Sequence, residues 1–318
     1  MISSNWARAL ESNIKQYVED GYNEHSDWST EIYNVENDSS GILRYHNAFG
    51  PASVPKSSEG GTSTELNISN GYETLVRPQI FKGKMPITEE LVRWNKYKGD
   101  ILNRSKSLGA AAIQSVNRYA ARPFIGGFTS TVTSYGDAEE LFSTSHDRID
   151  GGTAGSNASS SGITLTEANL ETALIAMREQ VSDTGRVLAI GYNDNLVLMV
   201  PNNLEKEAQI ITASTKRSGT PNNDLNWYQG KCSVFVNPFI GANVTDMDGT
   251  AGSNTAWFLL ARGVHQLRFI WDVHPSYKMW EEEDTNTLYT QVYLSCSNAW
   301  TDYRGTYGSK GDGLTYSS

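Results

Sequence analysis

Two cysteines, Cys232 and Cys296, are all that the chain holds in 318 residues, and they stand far apart with no CxxC spacing. That argues against a disulfide framework and against a zinc site, and suits a reducing compartment. Positive charge is short as well: 26 Lys and Arg stand against 36 Asp and Glu, a net charge of −10. A protein whose main task is to grip DNA or RNA draws its binding energy from cations set against phosphates, so that class is disfavoured. A surface that merely faces nucleic acid is not excluded. No apolar run in the sequence approaches the ~18 residues of a membrane span. The opening "MISSNWARALESNIKQYVEDGYNEHSDW" has no apolar h-region, so no signal peptide is expected.

Catalytic motifs are missing in the same way. There is no Walker A sequence, no GxGxxG, no GxSxG elbow and no HExxH, and the five histidines are scattered. "TDMDG" at 245–249 begins like a calcium loop, but no Glu closes it. "WEEEDTN" at 280–286 carries four carboxylates. A solvated turn is expected there, or an acidic cluster that receives a basic patch of a neighbouring subunit. "LFSTSHD" at 141–147 brings Ser143, Ser145, His146 and Asp147 together. A nucleophile, base and orienting acid must converge from separate segments, whereas neighbours on an extended chain point alternately to opposite sides. His146 is therefore expected to be structural, near a strand end. The chain reads as a non-enzyme, with no cofactor and no metal.

What is present is a folding composition, 38% hydrophobic and 19% charged, rich in rings with 16 Tyr and 8 Trp. Tyr and Trp join large apolar area to a polar handle, which suits subunit interfaces and sugar-binding faces alike. Residues 1–50 show weak periodicity: Ile14, Tyr17, Val18 and Gly21 suggest one short helix before an extended arm with little core of its own. Within 51–87, "TELNISN" alternates like a strand, Asn70-Gly71 signals a hairpin turn, and "TLVRPQIFKGK" returns, with Pro78 confining it to an edge. Such a two-stranded ribbon needs a partner surface.

The period then becomes helical. Thr88 is a candidate N-cap, and Glu89 and Glu90 suit the positive end of a helix dipole. Leu91, Trp94, Ile101, Leu108, Ala112, Val116 and Tyr119 fall on one stripe, and Pro123 with Gly126-Gly127 is expected to stop it. A helix over 88–122 would be a rod of roughly 50 Å. Gly99 and Gly109 are candidate bends. A second helix is predicted from Thr166, with Leu170, Leu174, Met177 and Val181 on one face. Strands at 187–190 and 196–200, a helix after Pro201, and strands "CSVFVNPF", "AWFLLA", "HQLRFIWD" and "YTQVYLSC" follow. The hexapeptide "GTAGSN" at 152–157 and 249–254 reads as repeated turn chemistry.

This order of elements resembles the Hong Kong 97 type of tailed-bacteriophage major capsid protein, with the Mu-like major head subunits as the nearest group. The resemblance rests on "EGG" at 59–61, "FKGKMPITEELVRW", "SLGAAAIQSVNRY", "LFSTSHD" before "SNASSSGITLTEANLETAL", "NLVLMVPNNLEKEAQIITAS", "NDLNWYQGKCSVFVNPFI" and "WFLLA", in sequence over about 54–305. It implies an α+β capsid fold: an N-terminal arm (1–50), an extended β-hairpin loop (51–87), a peripheral domain (88–185 and 265–305) with its spine helix at 88–122, an axial domain (186–264) and a C-terminal tail (306–318). It also implies self-assembly into hexamers and pentamers of an icosahedral shell enclosing double-stranded DNA. Arm and hairpin would lie across neighbours. The implied contact region holds Lys56, Glu59, Arg77, Lys82 and Lys84 of the hairpin, with Glu89, Glu90, Arg93 and Trp94 at the base of the spine. Portal, scaffold and decoration proteins are the implied partners, and no membrane is. Synthesis in the host bacterial cytoplasm and residence in the virion follow from the same resemblance. No long scaffolding extension precedes the arm, so a separate scaffold or a processed chain is expected. Two rivals remain at this stage: an encapsulin-type compartment of the same fold, and a carbohydrate-binding or carbohydrate-cleaving β-rich protein.

Overall fold

The computed structural model describes residues 4–315, apart from 67, 94–97, 130–135, 193, 218–223 and 283. In chain order come α1 (Ser4–Tyr22), α2 (Ser29–Ile32), β1 (Asn34–Asn37), β2 (Leu43–Phe49), β3 (Ser69–Val76), β4 (Gln79–Thr88), α3 (Glu89–Arg93) and α4 (Lys98–Ile125). The remainder holds α5 (Glu167–Arg178), β5 (Asn195–Val200), α6 (Glu205–Ala213), β6 (Cys232–Val236), β7 (Trp257–Arg262), β8 (Leu267–Glu282), β9 (Thr287–Trp300) and β10 (Thr306–Ser309). The architecture is mixed α+β. Two compact units share the chain: residues 1–42, 77–120 and 269–298 form the first, and 43–76, 121–268 and 299–318 the second. The division groups 121–185 with 186–264.

In the first unit a four-stranded sheet of order β1-β8-β9-β4 packs against helices. β4 pairs antiparallel with β9 without a slip, from Gln79↔Cys296 to Thr88↔Thr287. One of its faces meets α4, where Phe81, Gly83, Val292 and Leu294 line a cleft with Leu108 and Ala112. Strand alternation sends Lys82, Lys84, Tyr289 and Tyr293 to the other face. Helix α1 lies on α4 through two glycines. A Cβ on Gly21 would meet the Lys106 carbonyl at 2.0 Å, and one on Gly109 would meet that of Val18 at 2.0 Å. Gly109 therefore serves close helix approach rather than a bend. The segment expected to have little core of its own fully buries Ile14 and Val18 here.

The predicted spine differs at both ends. Thr88 closes β4, helix is present at 89–93 and again at 98–125, and Trp94 lies outside the described residues. Pro123 does not stop the helix; α4 runs on to Ile125. Proline costs a helix its own N–H and leaves the carbonyl four residues back without a partner. That carbonyl belongs to Tyr119, and the Asn298 side-chain amide donates to it. Trp28 Nε1 donates to the Asn117 carbonyl at 3.1 Å and the Tyr33 hydroxyl to that of Ala120, so three side chains grip the closing turns of α4.

The second unit is built on a sheet of order β10-β7-β5-β6. β5 and β6 are parallel, joined through α6 as a crossover. Leu196, Leu198 and Val200 of β5 meet Trp257, Leu259 and Ala261 of β7 in a core closed by Leu170, Leu174 and Met177 of α5 and Ala208 and Ile211 of α6. The predicted cap of α5 is in place: Thr166 accepts from the Asn169 N–H. No strand forms at 187–190, where Ala189 adopts φ 49 and breaks the extended chain. The expected tail at 306–318 opens with β10, paired to β7 and buried.

The predicted hairpin is the largest correction. Asn70-Gly71 is not a turn; both residues lie inside β3, which pairs with β2 from Leu43↔Val76 to Phe49↔Ser69. Gly71 is needed for close strand approach, since a Cβ there would meet the Asn47 carbonyl at 2.5 Å. Leu66 and Ile68 fall outside any strand, and the strand after Pro78 pairs with β9, not with β3. The two-stranded ribbon is thus 43–49 with 69–76, and the described residues among 50–68 form the loop between its strands.

Candidate assembly surfaces

The sequence "LFSTSHD" folds as bends rather than a strand, with an isolated bridge from His146 to Gly155. The His146 ring is fully buried and stacks on Tyr303, centroids 3.7 Å apart. Its Nδ1 lies 2.7 Å from Asp137 Oδ2 and its Nε2 lies 3.2 Å from Asn157 Oδ1. Ser143 Oγ donates instead to Glu139 Oε2. His146 ties loop segments together and faces no nucleophile at either ring nitrogen. A local acid in the motif, Asp147, is not its partner; Asp137, nine residues earlier, is.

The ribbon is rooted on its own unit along one face of β2, at every second residue. The Arg268 guanidinium lies 4.6 Å from the Tyr45 ring centroid, the Asn47 side-chain amide donates to the Thr301 carbonyl, and the Arg304 guanidinium lies 5.5 Å from the Phe49 ring. Arg304 is itself nearly inaccessible. It is bidentate to Asp302 through Nη1, reaches Asp183 at 2.9 Å through Nη2, and donates to the Val181 carbonyl through Nε. Burial works against its charge, but Asp302, Tyr303 and Asp183 outweigh that and raise its pKa. Burial pushes the Asp302 carboxyl up, with Arg304 opposing. Sequence reading missed this cluster, because an Arg in "DYRG" carries no local mark of burial.

Beyond the root, the loop is solvent-facing. All its described residues from Ala52 to Leu66 are exposed, and Val54 at 80% and Ile68 at 70% leave apolar side chains in water. Lys56 and Glu59 stand on this loop, and Arg77 is exposed just after β3. Lys82 and Lys84 are exposed on the sheet face away from α4, over Tyr293 and Tyr289 respectively. Glu89 and Glu90 open α3, where the Glu89 N–H donates to the Asn286 carbonyl. Arg93 closes α3. The structure thus spreads the expected contact residues over a loop, a strand face and a helix start. Among the described residues no group of His, Cys, Asp and Glu is arranged to hold a metal ion.

A family model for phage capsid protein matches residues 71–309. The chain belongs to the phage capsid protein family. This capsid protein also matches many solved structures. The capsid of Myoviridae phage XM1 aligns with TM-score 0.54 and 10% identity over 90% of this chain and 92% of that one. The capsid of Ralstonia phage GP4 gives 0.54 and 12% over 90% and 86%, and the mature capsid of bacteriophage PhiM1 gives 0.54 and 11% over 88% and 84%. At such identities the likeness is one of fold, and that fold is the Hong Kong 97 type. No curated protein matches the capsid protein by sequence. As a capsid protein it is a structural component of the virion, and no helix among the described residues is long and apolar enough to cross a membrane.

Proposed function

We propose that this is the major head subunit of a tailed phage, which assembles through hexamers and pentamers into an icosahedral shell around double-stranded DNA. The observation that carries the reading is the family match together with the exposed loop at 50–68, held out on a ribbon whose root is fixed by Arg304 and Arg268. A rigid root with a solvated, partly apolar tip suits an element that completes its burial on another copy. In this reading 186–264 is the axial domain, and 88–185 with 265–305 is the peripheral one. The ribbon and its loop, 43–76, are the extended loop, and the segment before them is the arm. Lys56, Glu59, Arg77, Lys82, Lys84, Glu89, Glu90, Arg93 and Trp94 belong to the contact region between copies. The enclosed DNA is held without sequence-specific binding, as the net charge of −10 suits. Portal, scaffold and decoration proteins complete the particle, the subunit is made in the host bacterial cytoplasm, and no catalytic step is required of it.

The test is to replace residues 53–65 by a short Gly-Ser turn, which leaves the β2–β3 pairing in place. A folded subunit that no longer forms shells under electron microscopy is the expected result. Normal particles from that variant would remove the loop from the assembly mechanism, and wild-type particles packed with an enzyme cargo instead of DNA would favour a compartment.

A further inference from the structure

One face of the first unit's sheet carries an alternation that the fold of the chain does not use. Lys82 Nζ lies 5.4 Å from the Tyr293 ring centroid and Lys84 Nζ lies 4.6 Å from that of Tyr289. Trp280 stacks on the same Tyr289 at 5.5 Å and 21°. Lys278, two residues before Trp280 on β8, shares that side of the sheet. All three lysines are exposed, as are Ile80 at 50% and Trp280 at 39%. In a chain of net charge −10 this is a basic, ring-lined strip, and Lys82 and Lys84 are held in place by the rings beneath them.

At the end of the same strands is the opposite charge. Glu282 ends β8 and Asp284 lies in the turn at 284–286 that leads to β9, and both are exposed. The Tyr289 ring lies under Lys84 and stacks on Trp280, two residues before Glu282 on β8, so the two halves are contiguous. From Lys82 to Thr88 the strand covers about 20 Å. Lys82, Lys84, Lys278, Glu282 and Asp284 make no ion pair with one another or with any other described residue.

A surface that carries a basic half and an acidic half, offset along one axis, matches a second copy of itself rotated by a half turn. We infer that the Lys82–Lys84–Lys278 strip and the β8–β9 turn form one self-complementary contact between two copies of this chain, each turn resting on the other's strip. The inference rests on the shell reading and names one two-fold contact within it. Charge pairing of this kind sets register and partner choice and weakens as salt rises.

The experiment is a charge exchange. Lys82→Glu/Lys84→Glu sets carboxylates against the other copy's Glu282 and Asp284, and Glu282→Lys/Asp284→Lys sets lysines against the other copy's Lys82 and Lys84, so each variant repels itself at those positions. An equimolar mixture restores opposite charge at both ends of the contact. The expected result is loss of shells from each folded variant alone and recovery in the mixture. In wild-type shells grown from isotopically heavy and light copies, carbodiimide should also join Lys82 or Lys84 of one copy to Glu282 or Asp284 of another. Shells from either variant alone, or no recovery on mixing, would overturn the contact. Should a variant fail to fold, the cross-links decide, and their absence from wild-type shells overturns it equally. Failure of the wild type to assemble at all would instead remove the shell reading, and this contact with it.

Discussion

The side-chain amide of Asn298 donates to the backbone carbonyl of Tyr119, the acceptor that Pro123 deprives of its helical partner. A residue 179 positions away thus completes a hydrogen bond that the helix cannot make for itself. Replacing Asn298 by Ala should lower stability by about 0.5–1.5 kcal/mol, the net worth of the hydrogen bond it removes. The same replacement in a Pro123→Ala background should cost less, because residue 123 then supplies its own N–H. A double-mutant cycle from urea titrations measures the difference. Equal costs in both backgrounds would show that the bond does not serve the gap left by proline.

The two glycines of α4 should respond oppositely to alanine. At Gly99 a Cβ meets nothing within 4 Å, whereas at Gly109 it meets the Val18 carbonyl at 2.0 Å. Gly99→Ala is expected to stabilise by about 0.5–1 kcal/mol through helix propensity. Gly109→Ala should force α1 off α4 and lower the midpoint of thermal unfolding.

Arg304 is the guanidinium around which Asp302 and Asp183 are buried. Truncation to Ala strands both carboxylates and should cost about 3–5 kcal/mol. Lysine keeps the charge but lacks the planar fork, so Arg304→Lys should recover only a part. Denaturant titration of the three proteins orders them. Protease exposure of the ribbon, whose Phe49 lies under this guanidinium, should rise in the same order.

Alkali should unfold the subunit earlier than its surface charge alone suggests. Burial pushes the Cys232 thiol up to about 12 and the Tyr277 phenol up to about 12, and it raises Tyr33 further. Below the unfolded-state values, about 8.5 for Cys and 10 for Tyr, both states hold these protons and no dependence arises. Above them the unfolded chain ionises while the folded one keeps its protons. Stability is then lost as pH rises through that window. Urea midpoints should fall steadily above about pH 9, and the phenolate absorbance of the buried tyrosines should appear only with unfolding. A midpoint flat to pH 11 would contradict the burial of these groups.

The sequence alone was enough for elements whose periods are local. Leu170, Leu174 and Met177 at helical spacing behind the Thr166 cap give α5, the apolar run at 196–200 gives β5, and Glu281 and Glu282 lie at the end of β8 with Asp284 in the turn after it. The order of such elements also carried the capsid resemblance that the family match bears out. Partner choice was different. Asn70-Gly71 has turn chemistry, yet it sits in a strand because β2 offers a ladder on which only glycine can approach the Asn47 carbonyl. Pro123 has breaker chemistry, yet the helix continues because Asn298 arrives from β9. Arg304 looked like any surface cation until two carboxylates and two rings closed round it. Propensity acts within a few residues, whereas ladders, freed carbonyls and buried charges are satisfied by groups tens to hundreds of residues away, so only the tertiary structure decided them.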